Sequence, residues 1–279
     1  MAVLIDGTAL AAKVKERVRE EAAKLSRKPG LAVILVGENP ASKVYVAGKE
    51  KDCAECGIVS FPYKLTAETT REELLGLIEQ LNANDEVDGI LVQLPLPKHI
   101  DEGKVLRAIS PAKDVDCFHP ENVGEMMVGD PICWPCTPYG VMELLREYGI
   151  SASGKHCVVL GRSNIVGKPM TLLLLRDNGT VTVCHSRTPD LKEQCLRADI
   201  LVAAVGKVNL VTADMVKDGA AVVDVAMNRN EAGKLCGDVD YAAVAEKASY
   251  ITPVPGGVGP MTRAILMKNV LAAAKDHQK

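Results

Sequence analysis

Tyr45 and Lys49 stand four residues apart, a spacing that puts both on one face of a helix. A lysine so placed moves protons usefully only where burial or neighbouring charge lowers its pKa. On spacing alone the pair reads equally well as surface residues with apolar stems laid along the helix. Gln93 closes an apolar run and is followed by Leu94-Pro95-Leu96-Pro97. Its amide would therefore sit at the C-terminal end of a strand, where α/β proteins hold their ligands. Lys113-Asp114-Val115-Asp116 sets two carboxylates in a turn-rich segment, where by themselves they could be turn formers.

A second constellation lies further along. Cys157–Leu160 is a strand-like run, and Gly161-Arg162-Ser163-Asn164-Ile165-Val166-Gly167 leads from it into an apolar helical pattern. Strand, glycine-bounded turn and helix N-terminus together form the place where a doubly wound sheet receives a dinucleotide pyrophosphate. Ser163 stands where the usual fingerprint has its second glycine, and Pro169 after Lys168 excludes a Walker loop. The next predicted strand ends Val183-Cys184-His185-Ser186-Arg187-Thr188 with no carboxylate. An acid at that position would bind ribose hydroxyls and repel a 2′-phosphate. Arg162, Ser186 and Arg187 would instead hold the phosphate through charge-assisted bonds, which favours NADP over NAD. Cys53/Cys56 and Cys133/Cys136 have zinc-like spacing. The first pair falls inside a predicted helix rather than a tight turn, so no metal is expected.

These side chains need elements to position them. Helices are predicted over 8–25, 41–56, 70–82 (opened by the capping box Thr70-x-x-Glu73) and 101–109, with strands at 31–36, 58–65 and 88–93. The stretch 110–138 holds prolines at 111, 120, 131, 135 and 138 and is expected to be irregular. Thr137-Pro138 is expected to cap a helix reaching Tyr148. Alternation then resumes, with strands at 156–160, 180–185, 199–204, 221–225 and 250–252. Helices are expected at 166–176, 191–197, 212–216, 241–247 and 261–275. Repeated β-α alternation implies parallel sheets. The expected architecture is α/β, two α/β domains with a cleft between them. The first is residues 1–118, completed by the C-terminal segment 258–279. The second, 138–255, is a Rossmann-like nucleotide-binding domain with a mostly parallel sheet.

Composition agrees. The chain has 279 residues, 47% of them hydrophobic, and a formal net charge of −3, enough for two cores and too apolar for disorder. Near-neutral charge gives no general attraction to nucleic acid or to a membrane surface. The longest apolar runs are core-element length, too short to span a bilayer. Met1–Gly7 lacks a basic stretch ahead of an apolar one, so no secretory signal is expected. Nine cysteines then read as reduced cytoplasmic thiols.

The motifs, taken in order, resemble the methylenetetrahydrofolate dehydrogenase/cyclohydrolase family. They are Tyr45-x-x-x-Lys49, Val92-Gln93-Leu94-Pro95-Leu96-Pro97, Lys113-Asp114-Val115-Asp116 and Pro135-Cys136-Thr137-Pro138. Gly161-Arg162-Ser163-x-x-Val166-Gly167-x-Pro169 and Thr252-Pro253-Val254-Pro255-Gly256-Gly257-Val258-Gly259-Pro260-Met261-Thr262 complete the set. The resemblance implies one site for two reactions of one-carbon metabolism. The first is oxidation of 5,10-methylene-tetrahydrofolate with NADP⁺; the second is hydrolysis of the methenyl product to 10-formyl-tetrahydrofolate. It implies catalytic roles for Lys49, Gln93 and Asp116: Lys49 for the hydrolytic step, Gln93 tuning it, Asp116 on the pterin. It further implies Tyr45 stacked on the aminobenzoyl ring, with Leu94 and Pro255-Gly256-Gly257-Val258 completing the folate site. Gly161, Arg162, Ser163, Ile165, Ser186, Arg187 and Met227 would bind the cofactor. A homodimer is implied as well. Two departures stand out: Cys117 where the family pattern has Gly after Lys-Asp-Val-Asp, and Asp224-Val225-Ala226-Met227-Asn228 where it has Asp-Val-Gly-Ile-Asn. Two other readings fit the architecture: a monofunctional NAD(P)-dependent dehydrogenase of shikimate or amino-acid type, and a nucleotide-sensing binding protein.

Overall fold

The computed structural model describes residues 1–129 and 131–279, and the side chains of all of these except Ala41. The chain divides into two units. One comprises Lys13–Trp134 with Arg263–Lys279; the other comprises Met1–Ala12 with Pro135–Thr262.

The short strand β1 (Val3–Leu4) and helix α1 (Gly7–Ala22) open the chain. Then follow β2 (Gly30–Val36), α2 (Pro40–Cys56), β3 (Val59–Leu65), α3 (Arg71–Asn82), β4 (Gly89–Val92) and α4 (Glu102–Ala108). The strands form a three-stranded parallel sheet in the order β3-β2-β4. Every residue of the central β2 is buried, as a strand covered on both faces requires. Ala32, Ile34, Val36, Ile90 and Val92 pack with Leu74, Ile78 and Leu81 of α3 in one core. The capping box is present: Thr70 accepts from the Glu73 backbone, and the Glu73 carboxylate accepts from the Thr70 backbone. β4 stops just short of Gln93, and the Leu94–Pro95 peptide that follows is cis.

The stretch 110–138 is more regular than expected. It holds a 3₁₀ turn at Pro111–Lys113 and a helix, α5 (Pro120–Val128). Pro120 occupies the first turn, where its missing N–H costs nothing, and Gly129 ends the helix with φ of 103°. Residue 130, in the same stretch, lies outside the described residues.

The second unit contains α6 (Cys136–Glu147), β5 (His156–Leu160), α7 (Gly167–Arg176), β6 (Thr180–Cys184), α8 (Leu191–Cys195), β7 (Ile200–Ala203) and β8 (Ala221–Asp224). A small antiparallel hairpin follows, β9 (Asn228–Arg229) with β10 (Leu235–Cys236). After it come α9 (Tyr241–Ala245) and β11 (Tyr250–Ile251), and then α10 (Val258–His277), whose residues from Arg263 onward belong with the first unit. α6 begins after Pro135 rather than at Thr137, which lies inside its first turn, and residues 213–215 form a 3₁₀ turn rather than the expected helix. The six-stranded sheet has the order β1-β11-β8-β7-β5-β6, and every pairing is parallel. The strand after β5 lies on one side of it and the next on the other. β5 and β7 therefore flank the topological switch point, where such sheets open a crevice at their C-terminal ends. Val3 pairs with Tyr250, which places the N-terminus with this unit. Neither β1 nor the hairpin strands β9 and β10 were expected from the sequence.

Candidate active site

In the first unit, Lys49 Nζ donates to Gln93 Oε1 at 3.0 Å. Gln93 Nε2 donates to the Leu94 carbonyl at 2.7 Å, and the Gln93 backbone N–H to Ile34 at 2.8 Å. The amide is thus held at both ends, with its oxygen turned to the lysine at the C-terminal edge of the sheet. Tyr45, one helical turn before Lys49, is partly exposed. The same stretch of α2 is anchored by a buried carboxylate: Asp52 pairs with Lys15 at 3.0 Å and with Arg263 at 2.6 Å. Helical spacing had left Tyr45 and Lys49 open to a surface reading; the Gln93 contact links the lysine to the strand edge.

The acidic loop is caged. Lys113 is buried and donates to the carbonyls of Leu81 and Asn84 at 3.1 and 2.7 Å. Burial pulls its pKa below the ordinary lysine value. Asn269 of α10 donates to the carbonyls of Val115 and Trp134 at 2.8 and 2.7 Å. Cys117 has φ of 59°, so the position where the family pattern has Gly does need the left-handed region. Cysteine there costs on the order of 1–2 kcal/mol in backbone strain. The two aspartates part company in this cage: Asp116 is half-buried, whereas Asp114 is buried. One oxygen of Asp114 accepts from the His119 backbone at 2.7 Å and from the Asn122 amide at 2.9 Å. Burial pushes the Asp114 carboxyl up to about 6.

A pH prediction follows from Asp114. Its folded pKa lies above the ordinary value of 3.8, so stability is greatest below that value and is lost as pH rises through about 6. Asp114→Asn keeps an oxygen for both donors and removes the charge. The variant is expected to match the parent near pH 4 and to exceed it by on the order of 2 kcal/mol at pH 8. Denaturant melts at both pH values measure this; a variant less stable at pH 8 contradicts it.

In the second unit the turn after β5 is built as a nucleotide loop requires. Gly161 has φ of 112°, and a Cβ there would lie 2.3 Å from the Ala204 carbonyl. Only glycine meets both conditions. Ser163 Oγ accepts from the backbone of Val166 and Gly167 at 3.2 and 3.3 Å. The serine at the second fingerprint position thus caps the entry to α7. Arg162, Ile165, Ser186 and Arg187 are exposed. The turn carrying Ser186 and Arg187 is closed by two bonds: His185 N–H to Thr188 Oγ1 at 2.9 Å, and Arg187 N–H to His185 Nδ1 at 3.2 Å. His185 therefore shapes this turn. Ala226 is buried and Met227 exposed. The Val254–Pro255 peptide is cis, Gly256 has φ of 105°, and its carbonyl accepts from Thr8 N–H at 3.0 Å. Pro255, Gly256, Gly257 and Val258 lie in this unit, whereas Tyr45, Lys49, Gln93, Leu94 and Asp116 lie in the other.

Among the described residues no three His, Cys, Asp or Glu gather as metal ligands. Cys53 and Cys56 are buried within α2, and burial pushes both thiols up to about 12. Asn269 and Asp238 are buried polar residues that motif reading passed over, and Asp224 entered it only as one letter of a motif. Each acts on backbone groups distant in sequence, so no local signal marks it.

A doubly wound parallel sheet with a glycine turn at its switch point, in a chain that also carries a lysine–amide pair and a caged acidic loop, defines a dinucleotide-dependent α/β enzyme. Residues 5–116 match the tetrahydrofolate dehydrogenase/cyclohydrolase catalytic domain, and residues 135–278 match the NAD(P)-binding domain of the same family. The chain belongs to the tetrahydrofolate dehydrogenase/cyclohydrolase family. It is 61% identical to the bifunctional protein FolD of Magnetococcus marinus over 279 residues, covering 99% of this chain and 98% of the relative. The crystal structure of the bifunctional FolD enzyme of Campylobacter jejuni superposes with a TM-score of 0.96 at 51% identity, covering 99% of each chain. That of the Trypanosoma brucei enzyme, complexed with NADP cofactor and an inhibitor, gives 0.95 at 42% identity, covering 99% of this chain and 98% of that one.

Proposed function

We propose that this chain oxidises 5,10-methylene-tetrahydrofolate with NADP⁺ and hydrolyses the resulting 5,10-methenyl-tetrahydrofolate to 10-formyl-tetrahydrofolate. Family membership supports the pair of reactions. The observation that carries the assignment to residues is Lys49 Nζ on Gln93 Oε1.

NADP⁺, when bound, accepts a hydride from the methylene carbon. That transfer asks the protein only to hold two rings face to face. The residues fit the cofactor: the Gly161 turn admits a backbone approach, and Arg162, Ser186 and Arg187 are exposed beside a strand end without a carboxylate. Ile165 and Met227 complete this set. Hydrolysis does need proton traffic. A water oxygen bonds to the methenyl carbon and loses a proton, giving a neutral carbinolamine; the C–N5 bond then breaks as N5 is protonated and the hydroxyl gives up its own proton to solvent, leaving the formyl group on N10. Lys49 is the group chemically suited to take and return that proton, with Gln93 orienting its amine. A cationic substrate lowers the pKa of a neighbouring lysine by like-charge repulsion. Asp116 accepts the paired N–H donors of the pterin edge. Tyr45 supplies a ring for the aminobenzoyl group and Leu94 an apolar contact; the family resemblance also assigns Pro255-Gly256-Gly257-Val258 to the folate. The proposed domains are a folate-binding domain of residues 1–118 with 258–279 and an NADP domain of residues 138–255, although residues 1–12 and 258–262 belong to the NADP unit in the fold. A homodimer in the cytoplasm belongs to the same proposal. The family resemblance supports the homodimer, and the reduced-thiol reading of the nine cysteines supports the cytoplasm.

A monofunctional shikimate-type or amino-acid-type dehydrogenase would leave Asp116 and the Pro255–Gly259 loop idle, and the family match does not favour it. One preparation tests the proposal: NADP⁺ reduction with methylene-tetrahydrofolate, then decay of the methenyl absorbance. Turnover in this assay also separates the enzyme from a nucleotide-sensing binding protein. Arg162→Ala and Ser186→Ala are expected to lower kcat/KM for NADP⁺ by about 5- to 100-fold while sparing NAD⁺. Equal or better kcat/KM with NAD⁺ in the unmodified protein would overturn the cofactor assignment.

A further inference from the structure

The NADP unit contains a buried carboxylate that neither reaction uses. Asp238, two residues past β10, is fully buried. Its Oδ2 accepts from the backbone N–H of Val205 at 2.6 Å and of Gly206 at 3.0 Å. Its Oδ1 accepts from the Lys207 N–H at 2.6 Å and from the Asn228 side-chain amide at 2.9 Å. Three successive backbone N–H groups thus converge on one carboxylate, and a fourth donor reaches it from Asn228 at the start of β9.

The first three lie in the loop that leaves the C-terminal end of β7, and Asn228 closes the loop that leaves β8. Val205–Lys207 follows β7 at the switch point, and Asn228 directly follows Met227. Ala204, the residue ahead of the clamped three, is the floor beneath the nucleotide turn, since a Cβ on Gly161 would lie 2.3 Å from its carbonyl. A second buried carboxylate braces the clamp. Asp224 accepts from the N–H of Ala226 and Asp238 on Oδ1, at 3.2 and 3.0 Å, and from Val239 on Oδ2 at 2.9 Å. Gly237 makes room for it, because a Cβ there would stand 1.9 Å from Asp224 Oδ2. The chemistry demands a carboxylate at position 238. Two acceptor oxygens offer about four lone-pair sites and take four donors, whereas an amide would turn an NH₂ group against two of them.

We propose that Asp238 is a positioning residue of the dinucleotide pocket, fixing the β7 and β8 loops against each other and, through Ala204, the seat of the Gly161 turn. The inference rests on the reading of that turn as the NADP site. It makes cofactor affinity depend on a residue that never touches the cofactor.

The two activities separate this role from general stability, because hydrolysis of supplied methenyl-tetrahydrofolate needs no NADP. Asp238→Asn keeps side-chain volume and changes the acceptor count. It is expected to raise KM for NADP⁺ by about 10- to 100-fold. Hydrolysis of supplied methenyl substrate should stay within about twofold of the parent. Asn228→Ala, at a half-buried position, removes one donor and is expected to raise the same KM about threefold. An unchanged KM in Asp238→Asn, or an equal loss of both activities in the two variants, overturns the proposal. If Asp238→Asn does not fold, Asn228→Ala decides alone: a raised KM with normal hydrolysis supports the clamp, and a parental KM overturns it. Failure of the underlying NADP reading shows differently, as absence of NADP⁺ reduction by the unmodified protein.

Discussion

Lys49→Met is expected to slow the hydrolytic step by about 10²- to 10⁴-fold, the range associated with a positioned acid–base group. The dehydrogenase step should survive in part. The asymmetry follows from the chemistry: hydride transfer requires juxtaposition, and water addition requires a proton carrier. Methionine keeps an apolar stem of similar reach and removes only the amine, so α2 keeps its packing. Methenyl-tetrahydrofolate should therefore accumulate when the variant is given methylene-tetrahydrofolate and NADP⁺. Gln93 holds the Lys49 amine at 3.0 Å and is itself held by the Leu94 carbonyl, so its substitutions should act mainly on hydrolysis too. Both steps are read in one cuvette. Parental hydrolysis by Lys49→Met would remove the lysine from the mechanism and return it to the role of a surface helix residue.

Asp116→Ala is expected to depress both activities together, because the proposed folate pocket serves both. The loss should be on the order of 10²-fold or more in kcat/KM, as expected for removing a charge-assisted, paired contact. Asp116→Asn keeps the size but gives up the charge and one acceptor, and should also be severe. The neighbouring carboxylate provides the control. Asp114 is turned into the protein and spends one oxygen on His119 and Asn122. Asp114→Asn should accordingly retain most activity while gaining stability at alkaline pH. If substitutions at Asp114 proved the more damaging in a folded protein, the pterin assignment would move to that residue.

Much of the fold was legible because it is written in local pattern. The seven buried residues of β2, the capping box at Thr70 and the strand–turn–helix at 156–176 depend on neighbours within a few positions. The helix α5 was lost among prolines, although Pro120 in its first turn and Gly129 just past its end are the usual start and stop signals. The Cys117 backbone shows the opposite case. Cysteine stands where the family pattern has glycine, and the φ of 59° found there is the left-handed region that glycine favours.

The sequence by itself determined the α/β alternation, the motifs and thereby the family, because apolar periodicity and turn chemistry act over a few residues. It also determined which residue types could carry each reaction. Only the tertiary structure decided how otherwise equivalent residues differ. Asp114 and Asp116 are the same side chain two positions apart, yet one is buried on backbone and amide donors and the other half-exposed. Asn269 reaches Val115 across 154 residues, and Asp238 gathers three N–H groups from more than 30 residues upstream. Burial and hydrogen-bond partners set what a carboxylate or an amide does, and both are supplied by chain segments that meet only when the protein folds.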